Sequence, residues 1–191
     1  MYQKYQTEAI VLSAYERGEA DKSFALFTSE FGLVRARASA VRTERSKMRH
    51  ALQLYTRGTV ALVRGKSGWR LAGASATTSA MGKSSEGIAA FARVANLTLR
   101  LVAGEERNEY LFSALAQAHE ALMKENVETA PMIEIVAVAR VLYALGYISN
   151  EALKTALFTH TMYAPAHLDE AANLREELLA SINRALSQTH L

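Results

Sequence analysis

The sequence predicts a two-domain α+β protein, with a small β-barrel at the front and a helical domain behind it. Three observations carry that prediction. From Thr7 to about Gly73 apolar and polar residues alternate with period two between turn signals. Beyond Ala74 the period changes to three and four. The charge changes at the same place: residues 1–80 hold 13 Lys and Arg against 6 Asp and Glu, a net +7, whereas residues 81–191 hold 9 against 13, a net −4.

Five strands can be placed in the front part. Thr7–Tyr15 is centred on Ala9-Ile-Val-Leu12 and ends at the Gly18 turn, and Lys22–Thr28 carries Phe24, Leu26 and Phe27. In Leu33–Val41, Val34, Ala36, Ala38 and Ala40 alternate with Arg35, Arg37 and Ser39, so the small apolar groups line a core while Arg35 and Arg37 share the opposite face. Leu54–Arg64 and Trp69–Gly73 form a hairpin over Gly65-Lys-Ser-Gly68. Five short strands in ~70 residues fit a closed barrel of the OB-fold type, with an SH3-like barrel as the alternative.

A linker, Ala74–Ala80, separates the domains, which are read as 1–80 and 81–191. Ser85 is expected to cap a helix with the stripe Ile88, Phe91, Ala92, Ala95, Leu99 and Val102, ended by Gly104. A second helix follows Asn108 with Leu111, Leu115, Ala118 and Leu122 on one face. Thr129 and Pro131 open a third, which Gly146 ends. Ser149–Tyr163 and Leu168–Leu186 read as two more, split by Ala164-Pro165-Ala166.

Composition excludes several chemistries. No cysteine is present, which removes disulfides, thiolate nucleophiles and Cys-based zinc modules. The five histidines show no metalloprotease spacing, so neither metal nor cofactor is expected. Lys83-Ser84-Ser85 resembles the end of a phosphate loop, but Gly82 lacks the partner glycine that would complete the cradle. With no dinucleotide fingerprint or serine elbow either, the expectation is a binding protein and not an enzyme. Neither a signal peptide nor a run of ~18 apolar residues is visible, which predicts a cytoplasmic protein without a membrane partner.

Arg35, Arg37, Arg42, Arg45, Lys47 and Arg49 place six cations within fifteen residues, and Arg64, Lys66 and Arg70 flank the hairpin turn. Such crowding is relieved by a polyanion, which makes these nine residues the candidate contacts to a nucleic-acid backbone, DNA in the reading that the resemblance below implies. Single-strand binding also needs rings on which bases can stack. Tyr15, Phe31, Tyr55 and Trp69 are the candidates, with Trp69 beside Arg70 favoured among them and core packing as the alternative for each. In the acidic half Arg93, Arg100 and Arg107 recur every seven residues, a line that suits an acidic peptide or a solvated face.

These residues together resemble the RecO family of bacterial recombination mediators. The likeness lies in Ala9-Ile-Val-Leu12, Gly18-Glu19 with Asp21, Phe27-Thr28 through Gly32, Ala38, Arg42, Ser46-Lys47 and Leu52-Gln53. It continues through Leu111-Phe112 with Leu115 and Leu142-x-x-Leu145-Gly146-Tyr147, covering residues 7–148. Arg42 and Lys47 fall on the family's basic loop motif, while Ser39-Ala40 stands where many members have Lys-Gly. The resemblance implies an OB-fold and a helical domain that bind single- and double-stranded DNA and anneal complementary strands. It also implies association with RecR and with the acidic tail of single-strand-binding protein, so that recombinase can load. Relatives often carry a four-cysteine zinc module after the Gly-Tyr corner. With 44 residues beyond Tyr147 and no cysteine, the helical domain reads as shortened and the metal does not carry over. An RNA-binding OB protein and a protein-interaction adaptor are the competing readings.

Overall fold

The structure is a computed structural model that describes residues 3–124, 128–149 and 155–189. The chain falls into two compact units: residues up to Gly82 together with Ala103–Phe112, and Lys83–Val102 together with the residues from Ser113 onward.

The first unit is built on five strands, β1 (Lys4–Arg17), β2 (Asp21–Thr28), β3 (Gly32–Ala38), β4 (Arg57–Gly65) and β5 (Gly68–Thr78). They form a closed barrel in the order β1-β2-β3-β5-β4, with β3 and β5 parallel through Ala36↔Trp69 and Arg37↔Arg70. This is the OB-fold, and the SH3-like alternative is set aside by that order. The core is the inward row expected of β3, Val34, Ala36 and Ala38, packed with Phe24, Leu26, Val60, Leu62, Trp69 and Leu71. A bulge between Val11 and Ser13 interrupts the β1–β2 register. There Val11 exchanges backbone hydrogen bonds with the β3–β4 connection, donating to Thr56 at 3.0 Å and accepting from Tyr55 at 2.9 Å.

Strand β5 runs to Thr78, past the expected end at Gly73. Ala74–Thr78 have too little apolar contrast to show a period, but they pair with Arg57–Val60 of β4, so the backbone ladder extends the strand where side chains give no signal. The segment Ala103–Phe112 also belongs to this unit. Phe112 stacks on Phe27 at 6.3 Å between ring centroids, and Glu105 pairs with Arg64 at 3.4 Å. Gly32 allows this approach: its φ is +63°, and a Cβ there would lie 2.1 Å from the Glu106 carbonyl oxygen.

The helical unit contains α1 (Ser85–Leu101), α2 (Glu109–Leu122, whose first turn belongs to the barrel unit), α3 (Ala130–Ala144), α4 (Pro165–Asn173) and α5 (Arg175–Gln188) among the described residues. Ser84, not Ser85, is the cap of α1, accepting from the Gly87 amide at 3.5 Å. The buried face of α1 is Gly87, Ala90, Phe91, Val94, Ala95 and Thr98, turned from the expected stripe so that Ile88, Ala92 and Leu99 are only half-buried. Asn108 accepts from the Leu111 amide at 2.8 Å as the cap of α2, and Leu111, Leu115, Ala118 and Leu122 are buried as their spacing requires. Gly146, at φ +80°, ends α3 with Tyr147 donating to the Leu142 carbonyl at 2.9 Å.

The expected helix over Ser149–Tyr163 is not what the described part shows, and residues 150–154 lie outside the described residues. A single 3-10 turn, Ala156–Phe158, is followed by irregular chain. The cause is Arg140, fully buried on α3, whose Nε donates to the Leu157 carbonyl at 3.0 Å, Nη1 to Thr161 at 2.8 Å and Nη2 to Met162 at 3.2 Å. Carbonyls that a helix would use internally are committed to a cation instead. Its guanidinium also lies 4.6 Å from the Tyr163 ring centre, and burial pushes that phenol up to about 12 despite the cation. The expected Leu168–Leu186 helix is two: Pro165 opens α4 at its first turn, and Leu174, at φ −99° and ψ 14°, separates α4 from α5.

Candidate nucleic-acid interface

Residues opposite one another on adjacent strands share a face, so the pairings fix what the outside of the barrel presents. Tyr15 lies opposite Ser23 and Ser23 opposite Arg37, while Arg37 is the β5 neighbour of Arg70. One cross-strand row thus runs Tyr15, Ser23, Arg37, Arg70. Arg35 stands two residues from Arg37 and Arg17 two from Tyr15, on the same face. These side chains line a hollow of about 420 Å³ together with Ser39, Ser67 and Trp69, and no carboxylate is among the lining residues.

A second hollow of about 470 Å³ also touches Ser39 and is lined by Arg45 and Lys47 with Thr43 and Ser46. Arg42 and Arg49 line a third, of about 360 Å³, with Lys22, Gln53 and Glu16. The six cations of residues 35–49 are therefore not one cluster: the strand pair joins Arg17 and Arg70, and the loop cations divide between two further hollows. Loop structure explains the division. Asp21 Oδ1 accepts from the Ala40 amide at 2.8 Å, where Ala40 turns at φ +52°, and Arg42 pairs with Glu16 at 3.2 Å and donates to the Gly18 carbonyl at 3.1 Å. Arg42 thus ties the loop to the β1–β2 turn and is half neutralised by doing so.

Arg64 is further committed, paired with Glu105 and placed 5.1 Å from the Trp69 ring centre. Lys66 is exposed at the hairpin tip. Among the described residues Arg17, Arg35, Arg37, Arg45, Lys47, Arg49, Lys66 and Arg70 make no ion pair with a carboxylate. Arg17 escapes a reading of the sequence because it stands alone beside Glu16 and Glu19. Its signal is the phase of β1, since it shares the parity of Tyr15.

Two of the candidate stacking rings, Trp69 and Tyr55, are corrected. Trp69 is 5 % exposed, its ring packed at 5.6 Å from Tyr5 and 5.3 Å from Phe31, and Tyr55 is 9 % exposed with its phenol pushed up by burial. A ring whose faces are already covered cannot take a base. Phe31 is partly buried in the same core, whereas Tyr15 is 50 % exposed.

The Arg93, Arg100, Arg107 line is also corrected. Arg93 is held by both oxygens of Glu134 at 2.5 and 2.6 Å, a hydrogen-bonded pair that raises its pKa. Arg107 lies beyond the end of α1, in the barrel unit, where Glu109 and Glu30 pair with it. Of the three exposed arginines, Arg100 alone makes no ion pair among the described residues. Among the described residues no three His, Asp or Glu converge so as to hold a metal ion, and no helix is long and apolar enough to cross a membrane.

The first 79 residues match the family described as Recombination protein O N terminal. A DNA repair protein RecO from Dehalococcoides mccartyi is 28 % identical over 181 residues, 94 % of this chain and 64 % of that protein. The chain is thus similar to this RecO protein over nearly all of its own length, and its first 79 residues match the N-terminal family model. Two other relatives carry the same name. One from Desulfitobacterium hafniense is 38 % identical over 63 residues, 33 % of this chain and 23 % of its own length. One from Pelotomaculum thermopropionicum is 40 % identical over 62 residues, 32 % and 24 % respectively. The chain spans about a quarter to two thirds of the length of the relatives it matches.

Proposed function

We propose that this chain is a non-enzymatic mediator of DNA repair. It binds single- and double-stranded DNA through the outer face of the barrel, anneals complementary strands, and helps load recombinase onto DNA coated with single-strand-binding protein. The observation that carries the reading is the convergence of Arg17, Arg35, Arg37 and Arg70 from three strands around a hollow lined by no carboxylate. Guanidiniums left without internal partners gain most by displacing the counterions of a phosphate backbone. The printed name of the relatives, DNA repair protein RecO, supports the same reading. The barrel unit, the expected domain 1–80 completed by Ala103–Phe112, then acts as the nucleic-acid-binding part, and the helical remainder of residues 81–191 docks RecR and the tail of single-strand-binding protein. The protein works in the cytoplasm at the nucleoid, without a cofactor.

Replacing Arg17, Arg35, Arg37 and Arg70 together by Ala tests this. On single strands the slope of log affinity against log salt should flatten by about 0.7 for each phosphate no longer neutralised, up to about 3 in all. An unchanged slope removes the hollow from the DNA path. Absence of any gel shift by the wild-type chain at moderate salt favours a protein adaptor, and stronger binding to RNA of the same sequence favours an RNA-binding OB protein. Acceleration of annealing between strands precoated with single-strand-binding protein tests the mediator step itself.

A further inference from the structure

Of the five large apolar side chains that are exposed among the described residues, only Tyr15 is an aromatic ring on the barrel, at 50 % exposure. An aromatic surface left that open costs free energy in water unless something covers it. Its surroundings specify what would. Tyr15 opens the row Tyr15, Ser23, Arg37, Arg70, which at the usual strand separation is about 14 Å from first to last Cα. It also lines the same hollow as Arg17, Arg35, Arg37 and Arg70. Of the acids at the β1–β2 turn, Glu16 pairs with Arg42 and Asp21 accepts from the Ala40 amide, and neither these nor Glu19 lines the hollow. From the adjoining strands Ser23, Arg35 and Arg37 line the hollow beside it, and Asp21 stands opposite Arg17 on the same face.

We infer that Tyr15 is a stacking platform for an unpaired base, so that the basic face prefers a single strand over a duplex. The inference rests on the DNA-binding reading above and adds the feature that distinguishes the two forms of DNA. Phosphates are common to both and the arginines bind either. Base faces are covered by their neighbours in a duplex and free in a flexible single strand, so a ring contributes only to the latter. The strand crosses β1, β2, β3 and β5 with its bases toward Tyr15 and its backbone along Arg37 and Arg70.

The test uses the full chain with Tyr15→Ala and Tyr15→Phe, measured by anisotropy on a labelled homothymidine strand and on a duplex of equal length. Tyr15→Ala should weaken single-strand binding by about 5- to 150-fold and leave both duplex affinity and the salt slope unchanged. Tyr15→Phe, which keeps the ring, should bind like wild type. Equal losses on both forms of DNA, or no loss on the single strand, overturn the inference. Photocross-linking of the wild-type chain to an iodouracil-substituted strand adds a readout independent of folding: an adduct on Tyr15 is expected, and adducts confined to other residues refute it. The two readings fail separately, because an unchanged salt slope in the arginine variant defeats DNA binding at this face, whereas a flattened slope there with an indifferent Tyr15→Ala defeats only the platform.

Discussion

Arg140 holds an otherwise irregular stretch of chain, and its replacement should be the most damaging single change in the helical unit. In Arg140→Leu the volume is largely kept while three carbonyls are deprived of their donor. The Leu157 carbonyl is bonded in the interior, so leaving it unmet costs about 2 kcal/mol; those of Thr161 and Met162 are part-buried, where water recovers much of the loss and about 0.5 kcal/mol each remains. Removing the cation over the Tyr163 ring adds about 1 kcal/mol, and removing a desolvated charge returns part of the total. The expected net loss is about 3 kcal/mol, or a fall in Tm of roughly 10 °C followed by far-UV circular dichroism. Arg140→Lys keeps the charge without the planar fork and should lose about half as much. A loss below about 1 kcal/mol in the leucine variant would refute the reasoning, since residues 157–162 would then keep their path without the guanidinium.

Gly32→Ala should destabilise the barrel unit by about 3 kcal/mol or more in urea titrations, because a positive φ and a Cβ 2.1 Å from the Glu106 carbonyl combine; Gly18→Ala, with nothing within 4 Å, should cost only the φ strain, about 1 kcal/mol. His160 lies ring to ring with His167 at 3.7 Å, and burial first, then His167 and Arg140, lowers its pKa. Unfolded His160 takes its proton near pH 6.5 and folded His160 only below that, so the unfolded state binds more protons in between and stability should fall as pH drops through that window. His160→Gln should flatten the fall measured between pH 7.5 and pH 5.5. Asp21→Ala frees the Ala40 amide, and amide exchange over residues 40–53 should accelerate while β1–β2 protection stays.

The barrel is largely legible in the sequence because period two is a strong signal where small apolar residues alternate with arginines, as in Val34 to Ala38, and because two glycines bracket the β4–β5 turn. The basic face is legible by composition but not by membership. A loop of eighteen residues between Ala38 and Arg57 can direct its cations anywhere, and only the Arg42 and Asp21 hydrogen bonds decide where. Tyr15 and Arg17 lie past the β1 bulge, where an extra residue shifts the phase that would have placed them. Arg140 sits in an apolar run, where one charge reads as an interruption, and its carbonyl partners are seventeen to twenty-two residues away. Trp69 misleads because a tryptophan beside an arginine looks the same from sequence whether its ring faces water or the core.

The return of Ala103–Phe112 to the barrel makes the peptide chain cross between the units three times, after Gly82, Val102 and Phe112. A single nick within the linker therefore cannot liberate either half, and limited proteolysis should yield nicked molecules that stay associated under native conditions. Expressing residues 1–80 alone would leave Phe27 without the Phe112 ring and open the cleft beside Gly32, creating an adhesive patch absent from the intact chain. A minimal barrel fragment thus has to be assembled from two stretches joined by a designed bridge.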